Sequence, residues 1–195
     1  MREIFEMQRR LNLHTLANIG KDFEQTMADP EQKPVWIENY RKALSAELAE
    51  LIREVSENGI GSGNGKIEVI DILHFLVSLS QIVGVRPEET PEFSTPENGV
   101  AFQECAIRTF LALDALQNSV KWKWWAKGGG YKQEKAREAV LDLWKAFTLT
   151  CGLFGLGFAE VKSIYVQKNR VNFQRQDHNY NEDTKTEADN LAIRV

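Results

Sequence analysis

The sequence has few of the residues that build covalent or zinc-based scaffolds. Its 195 residues include two cysteines and three histidines. Two cysteines exclude a disulfide framework, and three histidines leave little from which to build a zinc site. Cys105 shares a core-like stripe with Phe102, Ile107 and Phe110, so we expect the stripe to face the core and the thiol to be buried as a small apolar group.

Long apolar runs and an excess of basic residues are also missing. No run reaches the roughly 18 residues of a membrane span, and the N-terminal residues MREIFEMQRR lack the apolar core of a signal peptide. The chain has 24 Lys+Arg against 28 Asp+Glu, a net charge of -4, whereas general nucleic-acid binders are strongly basic. We therefore expect a soluble cytoplasmic protein with no membrane partner and no stable nucleic-acid partner.

Proline and strand-like alternation are scarce, which predicts helices. The five prolines fall in two clusters and none follows Pro96, so they mark gaps between helices. The apolar periodicity predicts helices at 2–27, 36–57, 66–84, 97–120, 133–151 and 158–177. With 43% hydrophobic residues, this predicts one all-α domain over 1–180, a compact helical bundle. The polar segment 181–195 has no periodic apolar face, and we expect a mobile tail.

Carboxylates are the plentiful metal ligands, and two of them interrupt an apolar helix. Glu68 and Asp71 have i,i+3 spacing within a segment that is apolar nearly all the way round, so they share one helix face. An ionised carboxylate in an apolar interior is costly unless it is paired or bound to a cation. A favourable position near the helix start explains Glu68 better than Asp71.

A second pair, Glu47 and Glu50, has the same spacing on the preceding helix, and Glu54 continues its face. Taken alone, these residues fit a solvated helix face. Together the two pairs form E-x-x-E and E-x-x-D on consecutive helices, and antiparallel packing could bring all four carboxylates together. This pattern predicts a site for a hard cation, above all Mg²⁺.

Polar side chains also follow one face of the last predicted helix. They are Tyr165, Lys168, Asn169, Asn172, Arg175 and Gln176. Lysine and arginine suit phosphate oxygens, and asparagine can bond a sugar or a base. A solvated face is the alternative interpretation.

A tryptophan-rich segment suggests a different function. Trp122, Trp124 and Trp125 alternate with lysines in the sequence VKWKWWAKGGGYK at 120–132. Exposed aromatic rings among cations could stack single-stranded bases, which would make the chain a nucleic-acid-binding module. A lid or a dimer contact with partly buried rings is equally compatible with the pattern.

Three motifs resemble the dimeric all-α dUTPases, a family within the superfamily of MazG-type nucleotide pyrophosphatases and phage dCTP pyrophosphatases. The motifs are IFEMQRRLN at 4–12, ALSAELAELIRE leading to EVIDILHF, and GLGF followed by YVQKNRVNFQRQDHNY at 155–180. They extend over nearly the whole predicted domain. The third motif is the most specific, whereas the carboxylate pattern indicates only the superfamily.

The resemblance implies hydrolysis of dUTP to dUMP and pyrophosphate, with Mg²⁺ and with water attacking the α-phosphorus. It implies that the metal ligands are Glu47, Glu50, Glu68 and Asp71. We expect Glu47 or Glu50 to act as the general base, by position. The resemblance further implies that Gln8 and Asn12 recognise the pyrimidine edge.

Phosphate and sugar contacts are implied for the last helix and the residues after it: Lys168, Asn169, Asn172, Arg175 and Tyr180. Tyr180 would pack against the deoxyribose where a 2′-hydroxyl does not fit. A homodimer is expected from the resemblance alone.

The chain departs from the family pattern in the spacer between the carboxylate pairs. The family usually carries a tryptophan-rich basic segment there, whereas this spacer is short and contains GIGSGNG with no aromatic residue. The tryptophan-rich segment at 120–132 could form a lid over the same pocket from another direction. A further departure is Asn179 in place of the family's glycine. These differences leave dCTP, or several dNTPs, as the alternative substrate.

Overall fold

The computed structural model describes residues 1–93, 100–177 and 193–195. Within these ranges the chain forms seven α-helices and one short 3₁₀ turn, and no strand. The helices are α1 (Arg2–Asn18), α2 (Phe23–Ala28), α3 (Gln32–Asn58), α4 (Gly63–Val83), α5 (Phe102–Gln117), α6 (Gln133–Leu153) and α7 (Phe158–Asp177), and the 3₁₀ turn is Pro87–Glu89. The predicted all-α fold is confirmed.

Helix α4 is the centre of the bundle. It is buried along nearly its whole length and packs against α1, α3, α6 and α7. Each buried aliphatic side chain contributes roughly 1.5–3 kcal/mol to folding. Trp144 of α6 is fully buried, and its indole Nε1 donates to Ser80 Oγ of α4 over 2.8 Å. This apolar packing fixes α4 and the polar side chains that it carries.

The predicted helix 2–27 is two helices, α1 and α2. Gly20 has φ +72°, a left-handed conformation that glycine adopts at little cost, and it ends the first helical path. Asp22 then caps α2 by accepting from the Gln25 backbone N–H over 2.8 Å. The chain therefore turns where the apolar periodicity alone predicts continuity.

Helix α3 begins earlier than the proline pattern predicts. The predicted linker 28–35 gives way to helix at Gln32, so Pro34 lies in the first turn. Proline is tolerated there because the N–H groups of the first turn have no partner within the helix. The earlier start lengthens α3, which carries Glu47 and Glu50.

The stripe predicted around Cys105 is only partly buried. Helix α5 buries Phe102 and Cys105 as expected. It exposes Ile107, Phe110 and Leu111, whose side chains are 59%, 63% and 60% accessible. The prediction was wrong for Ile107 and Phe110, because α5 turns them away from the core.

Helices α6 and α7 meet at 102°. As a pair they satisfy the length and hydropathy expected of a membrane span, but no single helix among the described residues does. Helix α7 then packs against α1 and α4. This arrangement brings its polar face to the cleft described below.

The last described residues return to the bundle. Ile193 is buried, and the Arg194 backbone N–H donates to Gln167 Oε1 over 3.0 Å. Gln167 Nε2 donates in turn to the Arg194 carbonyl over 3.1 Å. The rest of the segment for which a mobile tail was predicted, 181–192, lies outside the described residues.

Candidate active site

Four helices line a cleft with a volume of about 360 Å³. Its lining side chains are Gln8, Leu11, Asn12 and Thr15 from α1, Tyr40, Ala43, Ala46, Glu47 and Glu50 from α3, Asp71, His74 and Phe75 from α4, and Lys168, Asn172, Arg175 and Gln176 from α7. The cleft therefore combines carboxylates, amides, aromatic rings and cations, the chemistry needed to hold a nucleotide with its counter-ion.

Three of the four predicted metal ligands form a cluster. One carboxylate oxygen from each of Glu47, Glu50 and Glu68 lies within 4.8 Å of the other two. Glu68 is buried and the other two are half-buried. Carboxylates this close repel one another unless a cation or protons offset their charge. An all-oxygen donor set fits a hard divalent cation.

Asp71, the fourth predicted ligand, is not part of this cluster; it lines the same cleft as Glu47 and Glu50 and forms an ion pair. Its Oδ2 is 2.8 Å from Lys168 Nζ, and the two side chains are 14% and 3% accessible. The pair joins α4 to α7, so it links the carboxylate side of the cleft to the cationic side. In this structure Asp71 neutralises the lysine predicted to bind phosphate.

Glu54, which continues the face of Glu47 and Glu50, is directed to the glycine-rich spacer. Its carboxylate accepts from Asn58 Nδ2 over 3.1 Å and from Asn64 Nδ2 over 3.2 Å. Hydrogen bonding, above all from the Ser62 hydroxyl, lowers the pKa of Glu54. Asn64 Nδ2 also donates to Glu68 Oε1 over 3.3 Å. The short spacer therefore ties the end of α3 to a member of the carboxylate cluster.

The two residues predicted to recognise the base, Gln8 and Asn12, are buried in an amide network. Gln8 Nε2 donates to Asn12 Oδ1 over 2.9 Å and to Ser78 Oγ over 3.1 Å. Asn12 Nδ2 donates to Gln81 Oε1 over 3.2 Å. The Tyr165 hydroxyl donates to Gln8 Oε1 over 2.6 Å, and burial raises the pKa of Tyr165. The network holds both amides in one geometry.

Sequence reasoning missed Ser78 and Gln81. Both are polar residues with i,i+3 spacing in the apolar helix α4. The same argument that singled out Glu68 and Asp71 could have found them. Neither residue is a candidate metal or substrate ligand, because their polar atoms form hydrogen bonds with other residues of the protein.

The polar face of α7 reaches the cleft through four of its predicted residues. Lys168, Asn172, Arg175 and Gln176 line it, whereas Asn169 is buried and is not among the lining side chains. Tyr180 lies outside the described residues.

Aromatic rings form the remaining wall, and sequence reasoning missed two of them, Tyr40 and Phe75. Their ring centroids are 6.2 Å apart. His74 is buried, but neither ring nitrogen forms a hydrogen bond with the described residues. Burial, followed by the charge of Lys168, lowers the pKa of His74 to about 3. The imidazole is therefore neutral at physiological pH.

The tryptophan-rich segment is not among the described residues that line the cleft. Trp124 and Trp125 are 77% and 78% accessible. Trp122 Nε1 donates to Asn118 Oδ1 over 3.0 Å, and the Lys123 ammonium lies 4.8 Å from the Trp122 ring centroid. The segment forms an exposed loop of aromatic and cationic groups.

The comparison with known proteins adds one finding. A family model described as dUTPase matches residues 1–180, a range that includes all four helices of the cleft. No curated protein and no solved structure matches the chain. The family generally uses a divalent metal, which agrees with the cluster of glutamates. The chain therefore belongs to the dUTPase family and is a nucleotide pyrophosphohydrolase.

Proposed function

We propose that the protein hydrolyses dUTP to dUMP and pyrophosphate in a magnesium-dependent reaction, with water attacking the α-phosphorus. The observation that carries the proposal is the cluster of Glu47, Glu50 and Glu68 beside a cleft that α7 lines with cations. Carboxylates suit Mg²⁺, and lysine and arginine suit phosphate oxygens. A metal-bound triphosphate needs carboxylates for its metal ion and cationic side chains for its phosphates in one cleft.

The cluster would hold Mg²⁺ with Asp71 as a further ligand. Bound Mg²⁺ supplies neutralisation of the triphosphate charge and lowers the pKa of a bound water. Glu47 or Glu50 accepts the proton of the attacking water on a carboxylate oxygen. The water oxygen bonds to the α-phosphorus as that atom's bond to the α,β-bridging oxygen breaks, and pyrophosphate leaves with the bond's electron pair.

The cationic side of the cleft holds the rest of the substrate. Arg175 can bind phosphate oxygens bidentately, and Lys168 acts as a point charge. Asn172 can donate to a phosphate or to the sugar. Asn169 and Tyr180 complete the phosphate and sugar contacts in this proposal, with Tyr180 packed against the deoxyribose. Gln8 and Asn12 contact the base.

The test is pyrophosphate release from a panel of dNTPs, with Mg²⁺ and with EDTA. We expect dUTP turnover that requires Mg²⁺. Glu50→Gln and Asp71→Asn remove charge at nearly constant volume, and each should abolish turnover. Asp71→Asn also breaks the ion pair with Lys168, so circular dichroism has to establish that each variant is folded. Glu57→Gln is the control because it removes an exposed carboxylate from the same helix.

Each outcome of this test has one meaning. No turnover of any dNTP would contradict the proposed reaction, and equal rates in EDTA would contradict the role of Mg²⁺. A preference for dCTP, the alternative substrate, would contradict only the uracil assignment. Near-normal rates in Glu50→Gln or Asp71→Asn would remove that residue from the site.

We further propose that the protein is a cytoplasmic homodimer. The exposed apolar stripe of α5, formed by Ile107, Phe110 and Leu111, supports the dimer because it is centred near the middle of the helix. A two-fold axis there would place the stripe of one copy on that of the other. Light scattering during size exclusion should give twice the chain mass, and Phe110→Glu should give the monomer. A monomeric wild type would contradict the dimer.

The exposed tryptophan loop supports a second candidate, binding of single-stranded nucleic acid. Four lysines and no acidic residue lie between Asp114 and Glu134. Trp124 and Trp125 are accessible enough to stack on bases. Fluorescence anisotropy of a labelled oligo-dT should rise with protein and should not rise when both rings are replaced by alanine. If oligo-dT does not bind, the loop remains a candidate lid or dimer contact.

A further inference from the structure

The side-chain amides of Gln8, Asn12 and Gln81 form a hydrogen-bond network in which the donor and acceptor of each bond are fixed. A side-chain amide can turn either its oxygen or its nitrogen toward a neighbour. Whether that neighbour is a donor or an acceptor decides which of the two atoms faces it. Gln81 Nε2 donates to the Phe5 backbone carbonyl over 2.8 Å. A carbonyl only accepts, so this contact requires the nitrogen of Gln81. The Gln81 oxygen must then face Asn12.

The orientation of the Gln81 amide fixes that of Asn12, which in turn fixes that of Gln8. Because Gln81 presents oxygen, Asn12 presents Nδ2 to it and turns Oδ1 to the other side. Asn12 Oδ1 is an acceptor, so Gln8 must present Nε2 to it. Gln8 Oε1 consequently accepts from the Tyr165 hydroxyl. One backbone carbonyl thus determines the orientation of three amides.

The hydroxyl groups of the network constrain this direction less than Gln81 does. Ser78 and Tyr165 each carry a hydroxyl that can donate or accept and that rotates to suit its neighbours. In the observed orientation Ser78 Oγ accepts from Gln8 Nε2, and its proton can go to the His74 backbone carbonyl over 2.9 Å or to Asn12 Oδ1 over 3.1 Å. In the reversed orientation the proton would turn to Gln8, and the contact with His74 would be lost. Reversal would cost Ser78 one hydrogen bond, whereas it would place Gln81 Oε1 against the Phe5 carbonyl, so the contact between Gln81 and Phe5 is the stronger constraint.

The orientation determines what Gln8 and Asn12 offer to a ligand. Both protons of Gln8 Nε2 are donated within the network, to Asn12 and Ser78. Within the described part of the chain, the remaining capacity is the second lone pair of Gln8 Oε1 and the second proton of Asn12 Nδ2. Both residues line the cleft. The pair therefore offers one acceptor and one donor in a fixed order.

We propose that Gln81 determines the preference for uracil over cytosine by fixing this order. The proposal rests on the proposed function, in which Gln8 and Asn12 contact the base. Uracil presents an N3–H donor beside a carbonyl acceptor, which complements the acceptor of Gln8 and the donor of Asn12. Cytosine presents an N3 acceptor beside an amino donor, the reverse order. To bind cytosine through that edge, all three amides would have to turn, leaving Gln81 Oε1 against the Phe5 carbonyl.

The test compares kcat/KM for dUTP and dCTP in wild type and Gln81→Met. Methionine has a similar length but bonds neither Phe5 nor Asn12, so the amides lose their fixed direction. We expect the ratio of dUTP to dCTP to fall between about tenfold and about a hundredfold. Circular dichroism and thermal unfolding establish that the variant is folded. An unchanged ratio in a folded Gln81→Met would overturn the proposal.

Two further variants separate the effect of amide orientation from the effect of packing around Gln81. In Gln81→Glu, ionised or protonated, a carboxyl oxygen still accepts from Asn12, so the dUTP preference should persist. In Tyr165→Phe, one hydrogen bond is lost but the direction set at Phe5 remains, so the preference should again persist. Loss of preference in either variant would overturn the role of Gln81, and Gln81→Glu decides the matter if Gln81→Met does not fold. A wild type that does not hydrolyse dUTP would instead contradict the proposed function.

Discussion

His74 is a buried histidine held in its neutral form beside the cleft. Its ring lies 4.3 Å from that of Tyr165, between centroids, in an edge-on arrangement. Burial is the main cause of its lowered pKa, because a charged imidazole loses its hydration there. A neutral imidazole at this position keeps the cleft wall free of a further positive charge beside Lys168.

The lowered pKa of His74 makes stability depend on pH. Its pKa is about 3 in the folded chain against a reference value of 6.5. The unfolded chain takes up this proton first as the pH falls, so stability present above pH 6.5 is lost toward pH 3. The loss approaches about 1.4 kcal/mol per pH unit within this window.

We predict that His74→Phe flattens this dependence. Phenylalanine keeps the ring but cannot titrate. Urea unfolding at pH 7 and pH 5 should show a smaller loss of unfolding free energy in the variant than in the wild type. Equal losses in the two proteins would show that His74 is not the titrating group.

At the scale of elements, the start of α4 places Glu68. Ser62 Oγ accepts from the Gly65 backbone N–H over 2.9 Å and caps the helix. Gly65 packs against the turn after α6, and a Cβ added to it would lie 2.8 Å from Phe154 Cε1. The absence of a side chain at Gly65 therefore lets α4 approach Phe154 closely.

We predict that Gly65→Ala destabilises the protein by about 1–3 kcal/mol through this clash. It should also weaken Mg²⁺ binding, because Glu68 lies one turn further along. The matched control is Gly61→Ala in the same spacer, where a Cβ meets no atom within 4 Å. Chemical unfolding should find the control within about 0.5 kcal/mol of wild type. Equal stability of the two variants would contradict the close packing at Gly65.

Much of the fold follows from the sequence because apolar periodicity and helix breakers act locally. Helix 158–177 was predicted with the observed bounds. The break at Gly20 was missed because α1 and α2 continue one apolar pattern across it. The exposure of Ile107 and Phe110 depends on how α5 packs, which its own periodicity does not determine.

The candidate site was predictable where function requires an unusual residue in an apolar helix. Glu68 is such a residue, and its partners Glu47 and Glu50 share its spacing. The ion pair of Asp71 with Lys168 joins residues far apart in sequence, so spacing could not predict it. Gln81 is also a polar residue in an apolar helix, but its role depends on hydrogen bonds to Asn12 and Phe5, which are far away in sequence.

At the scale of the whole molecule, acidic residues outnumber basic ones, and some of the acidic residues are gathered in one place. The net charge is -4, and three of the carboxylates share one cluster. Without a cation, each pair of ionised groups about 5 Å apart repels by between about 1 and about 3 kcal/mol. Where all three groups are ionised, helix packing and hydrogen bonds such as that from Asn64 to Glu68 have to offset this repulsion.

We predict that Mg²⁺ raises the unfolding temperature of the wild type, because it binds the folded state. Glu50→Gln should be more stable than wild type in EDTA, since it removes repulsion, and should gain less from Mg²⁺. Thermal unfolding with EDTA and with MgCl₂ at matched ionic strength measures both effects. Glu57→Gln should gain as much from Mg²⁺ as the wild type. A Glu50→Gln protein that gains equally would exclude Glu50 from metal binding.

The ion pair between Asp71 and Lys168 has a consequence for the evolution of the protein. Loss of either partner leaves a charge in a poorly hydrated position, so a single replacement is harmful even before catalysis is considered. Replacements at the two positions should be strongly non-additive. Among relatives, we expect the two residues to be kept or exchanged together. The carboxylate motif and the lysine of the last helix would then be inherited as one unit, although 97 positions separate them (168 minus 71).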